Sequence, residues 1–151
     1  MVSRTIGWLA CALAILLLAG AMVSGAFAAS RLRTASAAWV LMPAVPGRPA
    51  AGYFTLHGGG TADRLIGASS SRAAKVELHG SMAMGGVMHM AALTEVPLPA
   101  GGTVSFAPGG NHLMLFGLKP GGGAVPLVLH FASGAAVSIE AKPRAAGEGE
   151  P

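Results

Sequence analysis

The sequence predicts an all-β fold, a sandwich or barrel, placed after an N-terminal export segment. Short apolar runs alternate with turn-forming clusters along the 151 residues, which contain 23 glycines and 10 prolines. Such regular punctuation suits many short strands. Hydrophobic residues make up 52% of the chain and charged residues 11%, which excludes charge-driven disorder and a coiled coil. The length fits one domain. The formal net charge is only +4, and the longest basic cluster is Arg31-Leu-Arg33. Phosphate binding needs clustered basic residues, so no nucleic-acid partner is expected.

The first element is the export segment, residues 1–28. Arg4 supplies a positive start, the chain from Ile6 to Val23 is almost wholly apolar, and Ala26-Phe27-Ala28 fits the small-x-small cleavage rule. Cleavage after Ala28 is expected. An uncleaved anchor is the alternative, because the apolar run approaches the length of a membrane span and Arg31 and Arg33 are basic flanks that resist translocation. Leu9-Ala10-Cys11 hints at a lipoprotein box, but the apolar run continues far past it, so lipidation is not the expectation. Either route places the remainder outside the cytoplasm, with membrane contact only through an uncleaved N-terminal segment. The one cysteine, Cys11, lies within this segment. The mature chain therefore has no disulfide, no cysteine nucleophile and no thiolate metal centre.

Strands are expected at Ala37–Met42, Gly52–His57, Arg64–Ser69, Lys75–His79, Val87–Leu93, Thr103–Phe106, His112–Leu118, Pro126–Phe131 and Ala136–Ala141. Glycine and proline clusters such as Gly58-Gly-Gly60, Pro108-Gly-Gly110 and Pro120-Gly-Gly-Gly123 separate them. Ser69–Ala74 is the one stretch that fits a helical turn. The domain is expected over residues 37–142, and the tail over 143–151, rich in Ala, Gly and Glu, is expected to fray.

Enzyme signatures are missing: there is no G-x-S-x-G, no H-E-x-x-H and no P-loop, and Asp63 is the one aspartate available to a triad. Of the five glutamates, the four before the terminal Glu150 (Glu77, Glu95, Glu140 and Glu148) show no paired spacing. Histidine and methionine stand out instead. All five histidines (His57, His79, His89, His112 and His130) follow the export segment, and five of eight methionines are Met82, Met84, Met88, Met90 and Met114. Methionine usually fills core gaps. The stretch from His79 to Met90 nevertheless holds more soft atoms beside turn residues than a plain core strand needs. Imidazole and thioether without thiolate favour Cu(I) over harder divalent ions.

In His112-Leu-Met114 the outer residues share one strand face, roughly 7 Å apart. A hairpin centred on Met84-Gly85 would set His79 directly opposite Met90. Burying Val76 and Leu78 would leave His79 near the surface. His79, Met90, His112 and Met114 are thus the candidate metal ligands. Met82 and Met84 are expected in the hairpin loop, Met88 in core packing and His89 on the other face. His57 and His130 are expected to be surface or satisfied histidines, and Trp39 and Tyr53 core or edge aromatics.

These residues resemble the periplasmic copper chaperones of the PCuAC family, whose pattern is His or Met, ten residues, Met, twenty-one residues, then His-x-Met. Here ten residues separate His79 from Met90, and twenty-one separate Met90 from His112-Leu113-Met114. The framing segments Ala37-Ala-Trp39, Ala51-Gly-Tyr-Phe54, Val76-Glu-Leu-His79, Gly86-Val-Met88, Pro99-Ala-Gly-Gly102 and Pro108-Gly-Gly-Asn-His112 resemble the family as well. The resemblance implies a cupredoxin-like fold and a Cu(I) site of two imidazoles and two thioethers. It implies a metallochaperone, not an enzyme, that carries copper to an acceptor such as a cytochrome c oxidase subunit or another copper assembly factor. A second, His/Met-rich copper site in the tail, present in some relatives, is not expected, since residues 143–151 contain neither residue type.

Neutral thioethers bind Cu(I) without displacing a proton, whereas imidazole must be deprotonated, so affinity is expected to weaken as pH falls through the histidine range near 6.5. An electron-transfer cupredoxin and a secreted binding module with an incidental His/Met cluster are the alternatives. The missing cysteine argues against the first, because blue-copper sites use a thiolate.

Overall fold

A computed structural model describes residues 32–148; the export segment, Cys11 and the last three residues lie outside them. The described residues form ten strands and no helix: β1 (Thr34–Leu41), β2 (Ala50–His57), β3 (Asp63–Ser69), β4 (Lys75–Met84), β5 (Val87–Ala92), β6 (Val96–Leu98), β7 (Thr103–Phe106), β8 (Asn111–Phe116), β9 (Val125–Phe131) and β10 (Ala136–Arg144). Their order across the sheet is β5-β4-β8-β7-β2-β1-β10-β9-β3-β6. All pairings are antiparallel except β1 with β10 and β7 with β8.

The sheet closes over one core. Leu56, Leu78, Leu113 and Leu115 from the β2, β4 and β8 half meet Leu65, Val125, Leu127 and Leu129 from the β3 and β9 half, all of them buried. Strict alternation explains why. In β9, Val125, Leu127, Leu129 and Phe131 point inward while Pro126, Val128 and His130 are more exposed. The all-β sandwich expected from the sequence is the fold observed.

Several boundaries differ from expectation. Val96–Leu98 is a strand beyond the nine expected. It has only three residues, buries Val96 and Leu98, and exposes Pro97, which is tolerated because β6 is an edge strand. β4 runs on to Met84, so Met82 and Met84 belong to a strand instead of a loop. β10 continues through Pro143 and Arg144, two residues past the expected domain end, because β1 offers parallel partners: Val40 pairs with Pro143 and Leu41 with Arg144. Residues 70–74 form turns, not a helical turn. Arg72 within them donates to the carbonyls of Lys119, Gly121, Gly123 and Ala124, clamping the loop before β9.

A bulge in β1 shapes the outer face. Ser36 pairs with Thr55, yet Trp39 pairs with Tyr53, so β1 carries one extra residue. That residue reverses the alternation and turns Trp39 to the same side as Tyr53. Ala37 takes up the distortion with φ of 50°, a left-handed conformation that costs a non-glycine residue about 1–2 kcal/mol. Replacing Ala37 with glycine is therefore expected to raise stability by several tenths up to about 1 kcal/mol without moving Trp39. Urea denaturation followed by tryptophan fluorescence measures both effects.

Asp63 ties three segments together. Its almost fully covered carboxylate pairs with Arg33 at 2.8 Å and accepts hydrogen bonds from the Arg64 amide and from the amide and hydroxyl of Ser133. Desolvation pushes its pKa up, but the Ser133 and Arg64 hydrogen bonds and the Arg33 charge outweigh it, and the net position is below the usual carboxylate value. A depressed folded-state pKa contributes stability that is present above the unfolded-state pKa and lost as pH falls through the folded value. Asp63→Ala is expected to cost about 1.5–3 kcal/mol at neutral pH. Denaturation at a series of pH values should show the gap from the parent closing as pH drops below about 4.

Candidate metal centre

β4 and β8 pair in a register that sets His79 directly opposite His112 and Glu77 opposite Met114. Leu78 and Leu113, between them in sequence, point into the core, so His79, His112 and Met114 share the outer face. The two imidazole centroids are 5.8 Å apart. Tyr53 stands on the far side of His112 at 6.4 Å, and Trp39 lies 4.4 Å beyond Tyr53. A row of four rings thus crosses β1, β2, β8 and β4. It explains how His112 is only 4% exposed although it sits outside the core.

Met90 arrives from β5, but not as the sequence predicted. The β4–β5 hairpin turns on Gly85-Gly86, both with positive φ of 60° and 80°, as a two-residue type I′ turn requires. His79 consequently pairs with Ala92, and Met90 with Ser81; the expected direct His79–Met90 pairing is incorrect. The slip is two residues, an even number, so Met90 keeps the face of His79 and becomes its diagonal neighbour. Met114 is the diagonal neighbour on the other side. All four candidates therefore stand on one face around His79. Met90 is 58% exposed, which leaves one side of the group open to solvent.

Hydrogen bonding fixes the free nitrogen of each ring. His112 Nδ1 lies 3.0 Å from the Gly110 carbonyl, which can only accept, so Nδ1 carries the proton and Nε2 keeps its lone pair. His79 Nε2 lies 3.0 Å from Glu77 Oε2. The carboxylate accepts the Nε2 proton, and Nδ1 is left with the lone pair. That Nδ1 is buried and has no hydrogen-bond partner, a costly state for a polar atom unless a further group completes it. Hydrogen bonds from Lys75 and then from His79 hold the Glu77 carboxyl below its ordinary pKa. Among the described residues, no three His, Cys, Asp or Glu side chains gather as a metal site. The four candidates would instead offer two imidazoles and two thioethers.

Glu77 is the residue that sequence reasoning missed. Its signal was available in its place two residues before His79 on one strand face. Tyr53 and Trp39 wall the site, which spacing alone did not indicate. The other histidines are placed as expected: His57 Nε2 meets Ser36 Oγ at 2.9 Å, and His130 Nε2 meets Ser69 Oγ at 2.8 Å. Met88, expected in the core, is 56% exposed, because its pairing with Ala83 puts it on the outer face with Met90.

Residues 34–142 match the family described as "Putative lipoprotein LpqE-like". The chain belongs to the LpqE-like family. It is 37% identical over 103 residues to "Putative lipoprotein Lxx21020" of Leifsonia xyli subsp. xyli, a match that covers 66% of this chain and 61% of that protein. The chain thus spans less than two thirds of that relative's length. The fold of this LpqE-like protein is the cupredoxin-like fold of PCuAC domains. It resembles the apo PmoF2 PCuAC domain with a TM-score of 0.62 and 27% identity, over 79% of this chain and 94% of that one. The copper-bound PCuAC domain from PmoF2 gives 0.59 and 25%, over 75% and 92%. The solution structure of CuI-DR1885 from Deinococcus radiodurans gives 0.56 and 25%, over 84% and 88%.

The two rings should be opposite tautomers in their neutral forms, with His79 protonated at Nε2 and His112 at Nδ1. Long-range ¹H–¹⁵N correlation spectra distinguish the two patterns. Glu77→Ala should loosen the preference at His79 and leave His112 unchanged.

Proposed function

We propose that this chain is a Cu(I) metallochaperone that binds one copper ion through His79, Met90, His112 and Met114 and passes it to an extracytoplasmic acceptor. The observation that carries this reading is the pair of facing imidazoles with lone pairs on His79 Nδ1 and His112 Nε2, flanked by Met90 and Met114 on one sheet face. The donor set is soft and uncharged, which suits Cu(I). Likeness to domains solved with copper supports the same reading.

Copper is cargo here, so the site must both hold and release it. Glu77 and the Gly110 carbonyl orient the rings, and Tyr53 and His79 shield His112 from water. Met90 forms the open side, where an acceptor's ligand can displace one thioether before the buried imidazoles let go. No step requires bond chemistry on a substrate, and the protein acts as a carrier instead of an enzyme. The acceptor we propose is a cytochrome c oxidase copper subunit or another copper assembly factor in the periplasm. The lipoprotein description of the family favours a membrane-anchored form over a freely diffusing one, with Cys11 as the one thiol able to carry lipid.

X-ray absorption of the Cu(I)-loaded protein should show two sulfur and two nitrogen neighbours. Loss of an orienting partner at a metal site costs about 10–100-fold in affinity. Glu77→Gln should fall in that range, and His112→Ala or Met114→Ala should cost at least as much. His130→Ala, whose ring is engaged by Ser69, should leave affinity unchanged. Competition with a Cu(I) chelator measures all four, and undiminished affinity in both ligand variants would refute the assignment.

A further inference from the structure

The β4–β5 hairpin has a second face. β4 pairs with β8 only as far as Gly80; from Met82 to Met84 it has β5 alone beside it. On the face opposite His79 and Met90, the inward series of β4 is Leu78, Gly80, Met82 and Met84, and that of β5 is Val87, His89 and Ala91. The core ends at Gly80, where Leu93 packs over the bare backbone with Cδ1 3.2 Å from the place a Cβ would occupy. Beyond that point the face carries Met82, Met84, Val87 and His89. Met82 and Met84 are each 60% exposed, and His89 is exposed as well.

Nothing in the fold requires methionine there. The positions cover no core, and exposed large apolar side chains are otherwise unfavourable in water. Register brings the soft atoms together. Met82 and His89 are a direct cross-strand pair, with Cβ atoms about 4.5–5.5 Å apart. Met84 is two residues along the same face, about 7 Å from Met82, within reach of a long flexible thioether.

We propose that Met82, Met84 and His89 form a second site for a soft monovalent cation, Cu(I) or Ag(I), distinct from the His79 site and weaker because it offers three exposed ligands without an orienting partner. β5 is an edge strand, so only its own backbone separates His89 from Met90, which lies on the opposite face. An ion held at the tip can pass around that free edge to the four-ligand site.

Ag(I), which needs no reductant, is the probe. It is titrated into the full chain in detergent micelles, with methionine methyls labelled with ¹³C. The wild type should take up two equivalents. Met90 and Met114 methyls should shift with the first, and Met82 and Met84 methyls and the His89 ring with the second. The triple variant M82L/M84L/H89Q should lose the second equivalent and keep the first, whereas H112A/M114L should keep the weaker one. Two equivalents still bound by the triple variant, or unmoved Met82 and Met84 signals at saturation, would overturn the proposal. If the tight equivalent survives H112A/M114L while the triple variant loses the weaker one, the tip site stands and the four-ligand assignment falls.

Discussion

The β4–β8 register is the constraint on which the rest of the molecule depends. It places two imidazoles opposite each other on the outer face while Leu78 and Leu113 enter the core between them. A one-residue slip of either strand past the other would send its histidine inward and its leucine out. The penalty for exposing that leucine, about 1.5–3 kcal/mol, therefore protects the geometry of the polar face. Packing on one side of the sheet specifies chemistry on the other. β2 extends this arrangement: Gly52 packs closely on Leu113 and Leu115, where a Cβ would come within 3.2 Å of Leu115 Cδ1 and 3.3 Å of Leu113 Cβ, and the neighbouring Tyr53 is held against His112.

The two histidines receive different support, and the difference matters for the carrier role proposed above. His112 is held by a backbone carbonyl, which neither titrates nor swings away. His79 is held by Glu77, a half-buried carboxylate shared with the exposed Lys75. One half of the imidazole pair is therefore rigid, and the other is tied to a surface ion pair of the kind that salt and neighbouring charges can alter. A charged acceptor of the proposed kind would act on the Glu77 side first.

Much of this was legible in the sequence because alternation is a strong signal. The inward residues of β8 and β9 and the shared face of His112 and Met114 follow from period two alone. Three features were not legible, each for a physical reason. β6 is too short to show a period, and Pro97 masks it. The hairpin register depended on which of several small residues would occupy the turn, and Gly85-Gly86 prevailed because both positions need positive φ. The contribution of Trp39 to the ring row depends on a bulge that Ser-Ala-Ala does not announce, since alanine seldom adopts the conformation found at Ala37. Glu77 differs from these: its face follows from alternation, but a single carboxylate without a partner of its own kind matches no catalytic or metal-binding spacing.

The glycine pair at the hairpin tip carries a wider consequence. Because side chains alternate with a period of two, adding or deleting a single residue in this arm would turn β5 over relative to β4, bringing His89 to the face of His79 and turning Met90 away. Changes in steps of two would lengthen or shorten the arm and leave each surface with its own set. The distance from His79 to Met90 is thus subject to a parity rule as well as a length, and natural variation in this arm should be found in even increments.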